Sequence, residues 1–315
     1  MSEYPSAERL MAGPLGQWLQ SQVAIRDTAR EKSNSRAWTV AIIGLPLFAF
    51  VFILAPFQFE LLAFLGFAAA TGGWYWSQGP KRDAIKQVKT GINEAIADAL
   101  GLIYKHDVDG SSGFDLAKRF DMLPGYDRAS FEDSWSGNYS GHAFTLHEAH
   151  LEEQRGSGKN KRWVTVFQGS IIRIGFARKF YGTTLVSRAG THRKMLGFGG
   201  RKDHVSFDGT RLDLVDMVHP DFEGTFDVYS TDQVEARYIV HPLYIEHLIA
   251  IEKIFSGEDI CSLFHGGELV ITLNCGNMFE SGSIDASDDH RKVALTIDQF
   301  ARLADLAQSL QQQAR

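Results

Sequence analysis

The chain has 315 residues, a formal charge of −6, 44% apolar residues and 22% charged residues, which excludes a disordered chain and one built mainly to grip nucleic acid. Its two cysteines, Cys261 and Cys275, exclude a disulfide framework and a four-thiolate zinc site, and they fit a reducing compartment. The length suits one large or two modest domains.

Residues 1–36 are mostly polar and are expected to form an N-terminal cytoplasmic helical segment. No cleavable signal peptide is expected, because so long a polar stretch precedes the first apolar run. From Ala37 to Pro80 there is no Lys, Arg, His or Asp, and Glu60 is the one carboxylate. Residues 37–55 would cover about 28 Å as a helix, close to the ~30 Å hydrocarbon thickness of a bilayer. Residues 57–76 are as long and end in Trp74, Tyr75 and Trp76, rings that favour the membrane–water boundary. Pro56 between them cannot donate into a helix ladder, so the pattern predicts a transmembrane hairpin over 37–78 that turns near Pro56. The competing reading is a pair of fully buried helices in a water-soluble core.

Orientation follows from basic residues. Arg26, Arg30, Lys32 and Arg36 precede the hairpin, Lys81, Arg82, Lys86 and Lys89 follow it, and none lies in the turn. Both ends are expected to be cytoplasmic. The remainder carries 27 Lys and Arg against 33 Asp and Glu, so its bulk is not a polybasic membrane cushion.

Pro80 suits the first turn of a helix whose apolar positions Ile85, Val88, Ile92, Ile96, Ala99 and Ile103 step by three or four, with Gly101 as its stop. Between Phe131 and Val186 the period shifts toward two. Phe144, Leu146, Glu148 and His150 then point one way, and Thr145, His147, Ala149 and Leu151 the other. Residues 130–141 read as a hairpin feeding this sheet, and the Gly-Ser-Gly of 156–158 as a turn. Asp232 and Glu235 have capping-box spacing, and Pro242 starts a helix with Leu248, Ile249, Ile251 and Ile254 on its apolar face. Strands 260–264 and 268–273 flank His265-Gly266-Gly267, a hairpin turn. A final helix is expected to be capped by Thr296 and Gln299, with Ile297, Phe300, Leu303, Leu306 and Leu310 as its stripe.

The stretches 222–248 (FEGTFDVYSTDQVEARYIVHPLYIEHL), 144–153 and 165–186 resemble the bacterial family called Domain of Unknown Function 3137. That resemblance implies a two-pass membrane protein with a cytoplasmic domain. It implies no activity and no catalytic residues. The expected fold class is α+β: an N-terminal helix, a two-helix transmembrane hairpin, and over 79–315 a cytoplasmic domain with an antiparallel β-sheet or barrel and flanking helices.

Candidate chemistry is sparse. His147 and His150, with His142 and Glu148 nearby, could be metal ligands, but His147 and His150 project oppositely along a strand, so no metal site is assigned. His241 and His265 read as surface or hydrogen-bonded residues. Gly197–Asp203 invites a phosphate-loop reading, yet it lacks the Gly-Lys-Ser/Thr ending and opens no βαβ unit. Arg188, Arg193, Lys194, Arg201 and Lys202 surround Met195, Leu196 and Phe198, a mixture suited to anionic lipid headgroups, or simply to a solvated loop. Cys261 and Cys275 read as small hydrophobes. No pattern calls for a cofactor, and none fixes an oligomeric state.

The expected function is therefore a membrane-tethered module that binds or scaffolds a lipid or membrane-protein partner at the bacterial inner membrane. An enzyme acting on a lipid or envelope precursor is the alternative. A channel is disfavoured, since two spans with one carboxylate cannot line a pore alone.

Overall fold

The computed structural model describes residues 5–54, 59–110, 112–177, 179–192, 201–217 and 224–312. The chain forms two compact units, one of residues 1–5, 96–279 and 295–315, the other of 6–95 and 280–294.

The second unit is helical. Helix α1 (Ala7–Met11) precedes α2 (Pro14–Leu54), which runs for 41 residues, about 60 Å, through Pro46. No break separates the polar residues before Ala37 from the apolar ones after it. Helix α3 (Phe59–Ser77) is followed by α4 (Gly79–Leu100) after the single residue Gln78. Its amide donates to the Trp74 carbonyl and its own carbonyl accepts from Arg82, so the helical hydrogen bonding continues across the joint. Gly101 adopts φ 70° after α4, the left-handed stop its position suggests.

A strap of residues 280–289 holds the stem of these helices. The Arg26 guanidinium donates to both carboxylate oxygens of Asp289 at 2.9 and 2.7 Å, with both side chains buried. Lys89 Nζ reaches Glu280 Oε1 at 2.8 Å, and Ser281 Oγ donates to Asn93 Oδ1 at 2.7 Å. Gly282 sits so close to α4 that a Cβ there would fall 2.3 Å from the Ile85 carbonyl oxygen.

The first unit is built on one antiparallel sheet. Its strands are β1 (Leu102–Asp107), β2 (Arg128–Tyr139), β3 (His142–Arg155), β4 (Arg162–Gly175), β5 (Thr184–Arg188), β6 (His204–Phe207), β7 (Thr210–Leu214), β8 (Phe226–Ser230), β9 (Glu258–His265) and β10 (Glu268–Asn274). The order is β1-β2-β3-β4-β10-β9-β5-β8-β7-β6, an open sheet with β1 and β6 at its edges rather than the closed barrel held as an alternative. Residues 130–141 are not a hairpin of their own. They are most of the long strand β2 and the tight turn into β3, where Ser140 and Gly141 both take positive φ.

Both faces of the sheet are covered, which is why β3 is buried at successive positions instead of alternating. On one face Trp135, fully buried, packs on Phe279 and Phe300, and Tyr139 donates to the Phe300 carbonyl at 2.8 Å. On the other, Phe114, Ala117 and Phe120, on or just after α5 (Ser112–Arg119), cluster with Leu151, Phe167, Ile171, Leu263 and Val270.

Two helix starts depart from expectation. Asp232 caps α6 (Gln233–Ile239) by accepting from Val234 and Glu235, but the Glu235 carboxylate turns to the amides of Tyr181 and Gly182, so the reciprocal half of the box holds a loop instead. His241 caps α7 (Pro242–Ile254), with Pro242 in its first turn as predicted. The final helix, α8 (Asp289–Gln312), begins seven residues before Thr296, which is interior and buried. The earlier start follows from a 3-10 turn, Ala286–Asp288, capped by Asp285, that runs directly into it.

Among the described residues no helix is long and apolar enough to cross a membrane. The mixed α+β class stands, while the length and apolarity of these helices as described do not support the expected transmembrane hairpin. Residues 55–58, including the expected turn at Pro56, lie outside the described residues.

Candidate functional site

The most unusual surface lies on α2 and α3. Phe48 packs at Gly66, where a Cβ would fall 2.1 Å from its ring, and Val40 packs at Gly73, where the distance would be 2.8 Å. Advancing along α2 retreats along α3, so the two helices run antiparallel. The outward side chains are apolar. Trp38, Leu45 and Phe64 are each 68% exposed, Phe67 71% and Ile53 74%, and Ile42, Leu47, Phe50 and Trp74 are exposed as well. An apolar groove of about 740 Å³ between the helices is floored by Ala37, Ala41, Gly44, Gly66 and Ala70. So contiguous a patch exceeds what a monomer in water ordinarily shows.

At the end of this patch, cations meet aromatic rings. The Arg36 guanidinium lies 4.7 Å from the Trp76 ring centroid, and that of Arg82 lies 3.5 Å from the Tyr75 ring while donating to the Tyr75 carbonyl at 3.0 Å. The Lys81 amide donates to Ser33 Oγ at 3.3 Å. Beyond this level the sequence turns polar, on α2 before Arg36 and on α4 after Pro80.

The five basic residues singled out from the sequence are not all presented outward. Arg188 forms a bidentate ion pair with Glu252 and packs 4.6 Å over the Phe226 ring, and burial lowers its pKa. Arg201 Nε lies 2.7 Å from Oδ1 of the buried Asp227. Lys202 is exposed and, with Asp121, His192, Asp203 and His204, lines a cavity of about 470 Å³. Arg193 and Lys194 lie outside the described residues, as do four residues of the Gly197–Asp203 stretch.

The histidines do not converge. His147 is buried beside Phe131, and desolvation lowers its pKa from 6.5 to about 4. His150 Nε2 pairs with Thr165 Oγ1 at 2.9 Å, and His142 Nδ1 lies 3.1 Å from the Gly175 carbonyl oxygen. His265 Nδ1 meets Thr183 Oγ1 at 2.9 Å. Burial pushes the thiols of Cys261 and Cys275 up to about 12, with the Glu148 carboxylate adding to the effect at Cys275. Both are protonated, poorly nucleophilic thiols at neutral pH.

A sequence model described as "Protein of unknown function (DUF3137)" matches from within β4 to the end of α8. Residues 165–312 belong to this family. The DUF3137 stretch contains most of the sheet's second half, α6, α7, the strap and α8. No curated protein matches the chain. Among solved structures, the crystal structure of the mycobacterial trehalose monomycolate transport factor A, TtfA, aligns at 11% identity and a TM-score of 0.33, over 68% of this chain and 95% of that one. At that score it carries no argument about fold or function.

Proposed function

We propose that this DUF3137 chain is a membrane-held module. In this reading the apolar stretch from Ala37 to Trp76 is embedded in a bilayer, and the sheet-bearing unit is kept at the cytoplasmic face to bind a lipid or membrane-protein partner. The observation that carries the reading is the ring of outward Trp, Phe, Leu and Ile side chains on α2 and α3, which water would penalise by roughly 25 cal/mol for each Å² left exposed. The run of the sequence without Lys, Arg, His or Asp supplies the length for two spans, and its single carboxylate, Glu60, falls near its middle, where headgroups or water can solvate it. Arg36 on Trp76 and Arg82 on Tyr75 mark the level of the headgroups, since aromatic and basic side chains anchor at that boundary. The flanking Lys and Arg put both ends on the cytoplasmic side.

Binding is favoured over catalysis by the state of the reactive groups. Both thiols are held protonated by burial, and Arg188 and Arg201 are committed to the carboxylates of Glu252 and Asp227. Confinement at a membrane raises the local concentration of any partner confined there too, with no new contact needed.

Single cysteines test the topology against a quiet background, because Cys261 is buried, Cys275 is half-buried, and burial keeps both thiols protonated. A cysteine at Gln58 is expected to react with an impermeant maleimide on intact cells, and one at Gln312 only after the membrane is permeabilised. Protection at 58 together with external reaction at 312 would reverse the orientation. Crosslinking in native membranes would then identify the partner.

A further inference from the structure

We propose that His106, Glu132 and Asp133 form a binding site for a divalent transition-metal ion, with Zn²⁺ the ion best matched to one imidazole and two carboxylates. The site stands independently of the membrane reading. His106 lies on the edge strand β1, and the two carboxylates are consecutive on its neighbour β2. On a regular strand, consecutive side chains point to opposite faces. Here the register slips. Glu132 pairs with Glu148 and Trp135 with Leu146, so Asp133 and Ser134 on β2 stand opposite the single His147 on β3, and Asp133 takes φ 52°. Such a bulge re-aims side chains, and with His106 opposite Asp133 in the β1–β2 register the donor atoms of all three residues come close together.

One donor atom from each of the three residues lies within 4.8 Å of the others. His106 Nδ1 is 2.8 Å from Asp133 Oδ1, which also accepts from the Tyr104 hydroxyl at 2.5 Å. That second bond fixes the carboxylate as outer-shell partners of metal ligands do. Donors around a tetrahedral zinc ion stand about 3.3 Å apart, since each bond is about 2.0–2.1 Å. A rotamer change at the half-buried Glu132 closes the remaining gap. Asp133 is fully buried while His106 and Glu132 are only partly so, which leaves the ion a way in and a position for water.

The β2–β3 pairing sets a further carboxylate beside Glu132. Glu132 sits directly across from Glu148, a side chain only 3% exposed. Like charges opposed across antiparallel strands repel, and a divalent ion held beside them offsets the repulsion. The ion would clip β1 to β2, so its binding would add to the stability of the sheet.

The test uses the full chain in detergent, stripped with EDTA and dialysed against Zn²⁺ or Mn²⁺. Elemental analysis is expected to find one equivalent of one of these ions, with Tm raised by several degrees. His106→Ala should abolish both effects, and the isosteric Glu132→Gln should weaken binding by about 10-fold or more. If His106→Ala fails to fold, Glu132→Gln at its half-exposed site carries the comparison alone. Retention of neither ion would overturn the proposal and leave a simple His106–Asp133 ion pair. Equal retention by the wild type and the folded variants would overturn it as well.

Discussion

Arg26 and Asp289 are 263 positions apart in the chain, yet they form a bidentate pair that is almost fully buried. Removing one member leaves the other charged and desolvated, so Arg26→Ala is expected to cost about 3–5 kcal/mol. The double change Arg26→Met with Asp289→Leu should cost much less, and denaturant titration of the purified chain separates the two outcomes. His147 gives a pH signature. Its imidazole titrates near 6.5 when unfolded but stays neutral in the fold down to about 4. Protons therefore favour the unfolded chain between those values, and stability falls as pH falls from 6.5 to 4, by up to ~3 kcal/mol, with no further loss from this residue below that. His147→Asn should flatten that part of the profile. The thiols offer a third check, since Cys261 and Cys275 should resist iodoacetamide at pH 8 and react once the chain is denatured. At this scale the opposed directions of His147 and His150 follow from strand alternation alone. The convergence of His106, Glu132 and Asp133 does not, because it depends on a bulge whose only local mark is an Asp in the left-handed region, a conformation Asp tolerates but does not require.

Turns and caps account for most of what is legible among the elements. Gly101 stops α4, Pro242 opens α7, and Gly266 and Gly267 take the positive φ that the β9–β10 hairpin turn needs. Thr296 misleads because a capping pattern inside a helix looks the same as one at its start. The turn that actually begins α8 is set by Asp285 and by the strap it belongs to. The order of the sheet was not readable, since β4 pairs with β10 and β5 with β9 across long gaps in sequence, and such pairings leave no local trace. One residue shows how tight the β4–β10 junction is. A Cβ at Gly169 would fall 2.0 Å from the Leu273 carbonyl oxygen, beside the irregular register near Asn274. Backbone cannot yield there as a side-chain tip could. Gly169→Val is therefore expected to cost at least ~2 kcal/mol, visible as a lowered unfolding midpoint or as loss of folded protein.

At the scale of the whole molecule, the dominant feature is a contrast within α2 and across α3 and α4. One end of the helix pair is polar and strapped by residues 280–289, and the other presents rings and aliphatic chains outward. The absence of Lys, Arg, His and Asp from Ala37 to Pro80 makes that contrast visible in sequence, and the exposed apolar side chains differ from the competing picture of two helices buried in a water-soluble core. The partner was not legible, because the basic residues that suggested lipid headgroups include two, Arg188 and Arg201, whose guanidinium groups are turned onto carboxylates far away in sequence. The central claim is that the apolar stretch is held in a bilayer. Alkaline carbonate extraction of membranes carrying the intact chain, followed by ultracentrifugation, tests it most directly. The chain should remain in the pellet, and a variant with residues 37–76 replaced by a Gly/Ser linker should move to the supernatant. Recovery of the intact chain in the supernatant would contradict the account.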